Sequence, residues 1–257
     1  MLNYGAQPDM LGSLTAAQRA IWAAQQLQPE VPYNFAAFLA IDHDVDAEKL
    51  MAACESAATR FGTPCARLSL DDGEPTFMVD RSLLEADILR CIDLRAESDP
   101  GAAARSWMDN DYRQPIDLRS DRLTNFVLLR ITDSLSYFYL RTHHVICDGY
   151  GANNFIRHIA AVYSGAAPET GEVDFSEFTV LREADRKYQQ SSRSRVDAEY
   201  WQSVVDGLVE VTDLAGSRRS VAPRHPLVRE LACTHQFSRN GQNQFDVARV
   251  VAALAVF

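Results

Sequence analysis

One stretch of fifteen residues, Tyr137 to Gly151 (YFYLRTHHVICDGYG), constrains this chain more than any other. Leu135 to Leu140 is an unbroken aromatic and aliphatic run, the pattern of a strand buried on both faces. His143 and His144 follow it. Adjacent side chains on a strand point to opposite faces, so only one of the two imidazoles faces a given cavity. Asp148 and Gly149 come next, and Gly149 and Gly151 read as turn residues ahead of a helix over Asn153 to Tyr163.

Composition narrows the setting of this stretch. The chain has 257 residues, 47% hydrophobic and 23% charged, which predicts a globular protein with a sizeable core. Its net charge of −10 argues against a nucleic-acid-binding surface. Cys54, Cys65, Cys91, Cys147 and Cys233 form no CxxC pair, so reduced thiols in the cytoplasm are expected. The first residues show no signal-peptide pattern, and no apolar run approaches the roughly 18 to 20 residues that span a bilayer.

Taken in order, Leu14 to Leu27 is an amphipathic helix with Thr15 as N-cap, an apolar stripe through Ala17, Ile21, Trp22, Ala24 and Leu27, and Pro29 as its stop. Asn34 to Ile41 reads as a strand, and Ala47 to Phe61 as a helix packing Leu50, Ala53, Cys54 and Ala57. Ala66 to Ser69 and Pro75 to Val79 form a hairpin around Asp71 to Glu74. Cys91 to Leu94 is an apolar edge segment, and Asp99-Pro100 starts a helix to Tyr112. Leu123 to Thr132 and Leu135 to Thr142 predict an antiparallel hairpin at the centre of the sheet, which delivers the histidines to one end. Helices are expected over Phe175 to Arg186 and Arg195 to Leu208, the second with a stripe of Tyr200, Trp201, Val204, Val205 and Leu208. Ala215 to Pro226 reads as a linker, Val228 to Ser238 as a strand, and Phe245 to Phe257 as a helix whose apolar face needs a cover.

HHVICDG, from His143 to Gly149, resembles the HHxxxDG signature of nonribosomal peptide synthetase condensation domains and of the wider chloramphenicol-acetyltransferase-like acyltransferases. Other stretches support the resemblance. AQRAIW is similar to the family's opening S-x-A-Q-x-R-x-W motif, Pro115 to Leu118 to its P-x-D-L segment, and DAEYWQSVVDGL to the E-Y-W segment after the signature. RFGTPCARL, from Arg60, stands where the family has R-H-E-x-L-R-T-x-F. Only Arg60 of the charged positions is kept, with Phe61, Gly62 and Cys65 in place of His, Glu and the second Arg.

The resemblance implies an α/β fold: a chloramphenicol-acetyltransferase-like lobe, a mixed sheet flanked by helices, with the second lobe only begun. Residues 1–185 would be the first lobe, 186–227 a helix and inter-lobe linker, and 228–257 the start of the second lobe. The implied reaction is attack of an acceptor amine on a donor thioester, both on carrier-protein 4′-phosphopantetheine arms. Upstream and downstream carrier proteins and an adjoining adenylation domain are the implied partners, with neither nucleic acid nor membrane among them. No cofactor is expected to be bound by the domain itself. The text around the signature looks most like siderophore-type synthetases, whose donor is an aryl or acyl group.

On the residues alone, a strand-end histidine reads as a structural group; the resemblance makes His144 the catalytic candidate, as base or as positioner of the amine. His143 becomes structural support. Asp148 could orient an imidazole, but the family favours a fold-supporting ion pair with Arg60 as the cation. Gly149, Tyr150 and Gly151 are assigned to the substrate channel, with plain turn chemistry the alternative for the glycines. No metal site is expected, because adjacent strand histidines diverge. Cys147 lies between apolar neighbours, an inert setting for a thiol. Two rival readings remain: a stand-alone O-acyltransferase of the same superfamily, and a non-catalytic carrier-docking module.

Overall fold

The computed structural model describes residues 10–207, apart from 72, 81, 86, 87 and 168–175. In chain order the elements begin β1 (Met10–Ser13), α1 (Ala16–Leu27), β2 (Asn34–Ile41), α2 (Ala47–Phe61), β3 (Ala66–Asp71) and β4 (Glu74–Val79). They continue α3 (Ser82–Glu85), β5 (Leu89–Asp93), α4 (Pro100–Tyr112), β6 (Thr124–Arg130) and β7 (Ser136–His143). The described part ends with α5 (Gly149–Tyr163), α6 (Ser176–Gln189) and α7 (Ser192–Asp206). A short 3-10 turn, Thr63–Cys65, separates α2 from β3.

Local chemistry sets these boundaries. Thr15 caps α1 through a capping box: its hydroxyl accepts from Gln18 N–H, and Gln18 Oε1 accepts from Thr15 N–H at 3.0 Å. Asp46 caps α2 by accepting from Lys49 N–H. Gly62, at φ +67°, ends α2 in a backbone conformation that side chains with a Cβ rarely adopt.

The described strands form the expected mixed sheet and, beside it, a smaller second one. The smaller is antiparallel, in the order β1-β4-β3. The larger has the order β2-β7-β6-β5, with β5 parallel to β6 and the other pairs antiparallel. The apolar edge segment therefore became β5, and the predicted hairpin became β6 and β7, with Leu128 opposite Phe138. β7 is paired along both edges, and helices cover both its faces. Phe138 and Leu140 join the core that includes Leu50, Ala53 and Ala57 of α2 and Phe155 and Ile159 of α5. Tyr139 packs on the other face with Ala104 and Met108 of α4. Full burial of one such aliphatic or aromatic side chain contributes roughly 1.5–3 kcal/mol, which explains why strand and helices cannot separate cheaply.

Two further departures are informative. α5 starts at Gly149, four residues before the expected Asn153, because Asp148 caps it. The apolar stripe of α7 lies on the surface, with Tyr200 at 60% and Trp201 at 63% exposure. No described helix is long and apolar enough to cross a membrane. Leu208, the linker at 215–226, the strand at 228–238 and the helix at 245–257 lie outside the described residues, as do the start of the second lobe and Cys233.

Candidate active site

The tandem histidines part as the two-residue period of a strand requires. His143 ends β7 on the α4 face, in line with Tyr139 and Arg141, and is fully buried. Its Nδ1 accepts from Val145 N–H at 3.1 Å, so the neutral ring carries its proton on Nε2. Burial first, then the charges of His144 and Arg141, pushes its pKa down to about 3. This imidazole stays uncharged at neutral pH. His144 turns to the opposite face and is exposed. Its backbone N–H donates to Tyr33 O at 2.8 Å, which extends the β2–β7 pairing by one residue. Its ring meets Phe35 edge-on, with centroids 6.2 Å apart.

His144 borders a pocket of about 470 Å³. Thr15 and Gln18 from the start of α1 form one wall, and Phe61 and Thr63 another. Val145 to Asp148, Tyr150, Gly151 and Phe155 supply the floor, and Phe178 and Leu181 of α6 close the side. The lining is mostly apolar, with the imidazole at its edge. A second cavity of about 500 Å³ lies at the other end of α1, against Trp22, Gln25, Leu68 and Leu118. It contains no histidine, and its polar lining is Gln25, Gln26, Asp117, Arg119 and Asp121.

Asp148 has a different partner from the one expected. It is exposed, and its carboxylate accepts from Gly151 N–H at 2.8 Å as the N-cap of α5. Among the described residues no ion pair joins it to Arg60, which is itself exposed and lies over the Phe61 ring. The physical reason is position: a carboxylate just before a helix is satisfied by the free N–H groups of the first turn and by the helix dipole. Gly149 and Gly151 occupy that first turn. A Cβ on Gly149 would sit 3.8 Å from Phe35, in ordinary contact, whereas one on Gly151 would lie 2.8 Å from Cys147 Sγ. Gly151 is thus required by close packing. Tyr150 between them is 76% exposed and borders the pocket.

Cys147 is buried, its thiol donates to Asp148 O at 3.3 Å, and burial with the neighbouring carboxylate pushes its pKa up to about 12. A thiol so held is not an available nucleophile. Among the described residues no three His, Cys, Asp or Glu side chains are grouped to hold a metal ion.

The buried ion pair near the signature is one the sequence reading missed. Arg141, two residues before His143, pairs with Asp111 of α4 at 2.9 Å, and Tyr139 Oη donates to the same carboxylate at 3.0 Å. Burial and the adjacent Asp111 carboxylate push the Tyr139 phenol well above its usual range, so it remains a donor. The signal was an arginine in a strand buried on both faces, a position that requires a carboxylate partner.

The condensation-domain family model matches residues 11–233. The chain belongs to the condensation-domain family. This condensation domain is 32% identical over 191 residues to an isonitrile lipopeptide synthase of Streptomyces coeruleorubidus, covering 73% of this chain and 13% of that protein. It is 30% identical over 193 residues to enterobactin synthase component F of Escherichia coli O157:H7, covering 73% and 15%. Among solved structures, the starter condensation domain of rhizomide synthetase RzmA superposes with a TM-score of 0.67 at 32% identity, covering 77% of this chain and 48% of that one. An alanine variant of RzmA in complex with C8-CoA gives 0.73 at 31% identity, covering 83% and 49%. The chain therefore spans a small part of its relatives and about half of these solved domains, whose chloramphenicol-acetyltransferase-like fold it shares.

Proposed function

We propose that this condensation domain forms an amide bond between a donor acyl thioester and an acceptor amine, with His144 as the catalytic residue. The amine nitrogen attacks the thioester carbonyl, the C–N bond forms and the C–S bond breaks. The amine proton passes to His144 and leaves with the thiol. The observation that carries this reading is the exposed His144 ring at the edge of an apolar pocket, backed by a neutral, buried His143. A neutral base or acceptor beside a held amine supplies about 10²- to 10⁴-fold, and tethering both reactants supplies further acceleration by proximity.

Both substrates arrive on 4′-phosphopantetheine arms of upstream and downstream carrier proteins, served by a neighbouring adenylation domain, and the domain itself holds no cofactor. The lining of Phe61, Ile146, Phe155, Phe178 and Leu181 suits an aryl or acyl donor. Similarity to enterobactin synthase component F supports a siderophore-type assembly line, and similarity to a lipopeptide synthase supports an acyl donor. Large peptide synthetases among the relatives favour this reading over a stand-alone O-acyltransferase. Residues 1–185 are the first lobe, 186–227 the connection and 228–257 the start of the second, and the working protein is cytoplasmic. Because the reactants meet between two lobes, residues 1–257 alone are inactive.

The test is amide formation between loaded carrier proteins, catalysed by a protein extended through the whole condensation domain. His144→Ala is expected to lower turnover by about 10²-fold or more. Unchanged turnover in that variant refutes the assignment.

A further inference from the structure

Asn34 is the residue of β2 that lies opposite His143 on β7. The hydrogen bond from His144 N–H to Tyr33 O places the bonded pair one residue away, so Asn34 and His143 form a non-bonded pair, the kind whose side chains stand closest on a shared face. That face is the one toward α4. Asn34 Nδ2 donates to Tyr112 O at 2.8 Å and to Gln114 O at 2.9 Å, holding the end of α4 and the connector after it.

Both of its amide protons are thereby engaged, and Asn34 Oδ1 is buried without a partner. His143 Nε2 is likewise buried without one. The second atom is a donor, because Nδ1 already accepts from Val145 N–H. An orphan acceptor and an orphan donor thus stand on paired residues of one buried face, and they are not bonded to each other. Unsatisfied buried polar atoms are costly, and a single water accepting from one and donating to the other removes both penalties.

We propose that Asn34 Oδ1 and His143 Nε2 share one buried water, and that Asn34 is thereby a positioning residue for the tandem histidines. The water fixes the His143 ring from behind the sheet. That ring in turn holds Val145 N–H, and the backbone between the two carries His144. The positioning role rests on the reading of His144 as catalytic; the water itself does not.

Two measurements test the water on the full chain. A crystal structure that resolves ordered solvent is expected to show a water within about 3.2 Å of both atoms. Long-range ¹H–¹⁵N spectra of ¹⁵N-histidine-labelled protein are expected to show His143 as the Nε2–H tautomer with a slowly exchanging ring proton. In Asn34→Leu that proton signal should shift and exchange faster. A ring with Nε2 packed against carbon, the Nδ1–H tautomer, or an unchanged signal in Asn34→Leu overturns the water; if the variant fails to fold, the wild-type structure and spectrum decide. In the extended domain, Asn34→Leu should lower kcat by about ten- to a hundredfold with KM within about twofold. With the water present, an unchanged kcat in Asn34→Leu, or an equal fold-loss when Asn34→Leu is added to His144→Ala, overturns the positioning role, whereas wild-type turnover in His144→Ala overturns the reading of His144 itself.

Discussion

Gly151 offers a quantitative check on how tightly the signature loop is packed. Replacing it with alanine adds a Cβ 2.8 Å from Cys147 Sγ, where ordinary contact begins at 3.4 Å. The sulfur cannot retreat freely, because Cys147 is buried and its thiol is bonded to Asp148 O. Overpacking of this kind costs about 1–3 kcal/mol, while alanine regains roughly 0.8–1 kcal/mol of helix propensity over glycine. The net loss of up to roughly 2 kcal/mol corresponds to a Tm lower by up to about 8 °C for a chain of this size. Gly149→Ala lacks the clash, with its nearest neighbour at 3.8 Å, and should raise Tm slightly. The decisive assay is a double-mutant cycle by urea denaturation. Cys147→Ala removes the obstructing sulfur, so Gly151→Ala in that background should become neutral or stabilising, with a coupling of about 1–3 kcal/mol. If Gly151→Ala stabilises the wild type as Gly149→Ala does, or costs the same with and without the sulfur, the close-approach argument is wrong.

The other expectations concern stability. Asp148→Ala should cost about 1 kcal/mol through loss of the α5 cap, and Asp148→Ser should restore most of it, both read from melting curves. Arg141→Ala leaves Asp111 without its cation and should cost about 3–5 kcal/mol, far more than Arg60→Ala, which breaks no ion pair with Asp148. His143 is held neutral with a pKa near 3, below its unfolded value of 6.5, so the unfolded chain binds the extra proton between those limits. Its contribution is complete above pH 6.5 and is lost as pH falls toward 3. Between pH 6 and 4 the stability of the wild type should therefore fall more steeply than that of His143→Asn, by about 1.4 kcal/mol per pH unit.

Much of this arrangement can be read from residue order. The apolar run ending in His143-His144 specified a strand buried on both faces, and its two-residue period separated the facings of the rings. Thr15 as N-cap and the extents of α1 and α2 followed from short-range capping and periodicity. The start of α5 did not, because Gly149 and Gly151 weaken intrinsic helix propensity and read as turn residues. What overrides them is the Asp148 carboxylate on the first turn. The partner of Asp148 is local for the same reason: the N–H of Gly151 competes successfully with a distant guanidinium. β1 has only four residues and exists through its pairing with β4, which local pattern cannot reveal. The Arg141–Asp111 pair links residues thirty positions apart, so its arginine was legible as an anomaly but its partner was not.

The opposed facing of the two imidazoles makes the length of β7 a matter of parity. Adding or removing one residue upstream of His143 would send each ring to the other side, burying His144 and exposing His143. A change of two would leave both where they are. A strand of this kind tolerates many substitutions, yet a single residue added between Tyr137 and His143 should exchange the facings of the two rings while every side chain is still present.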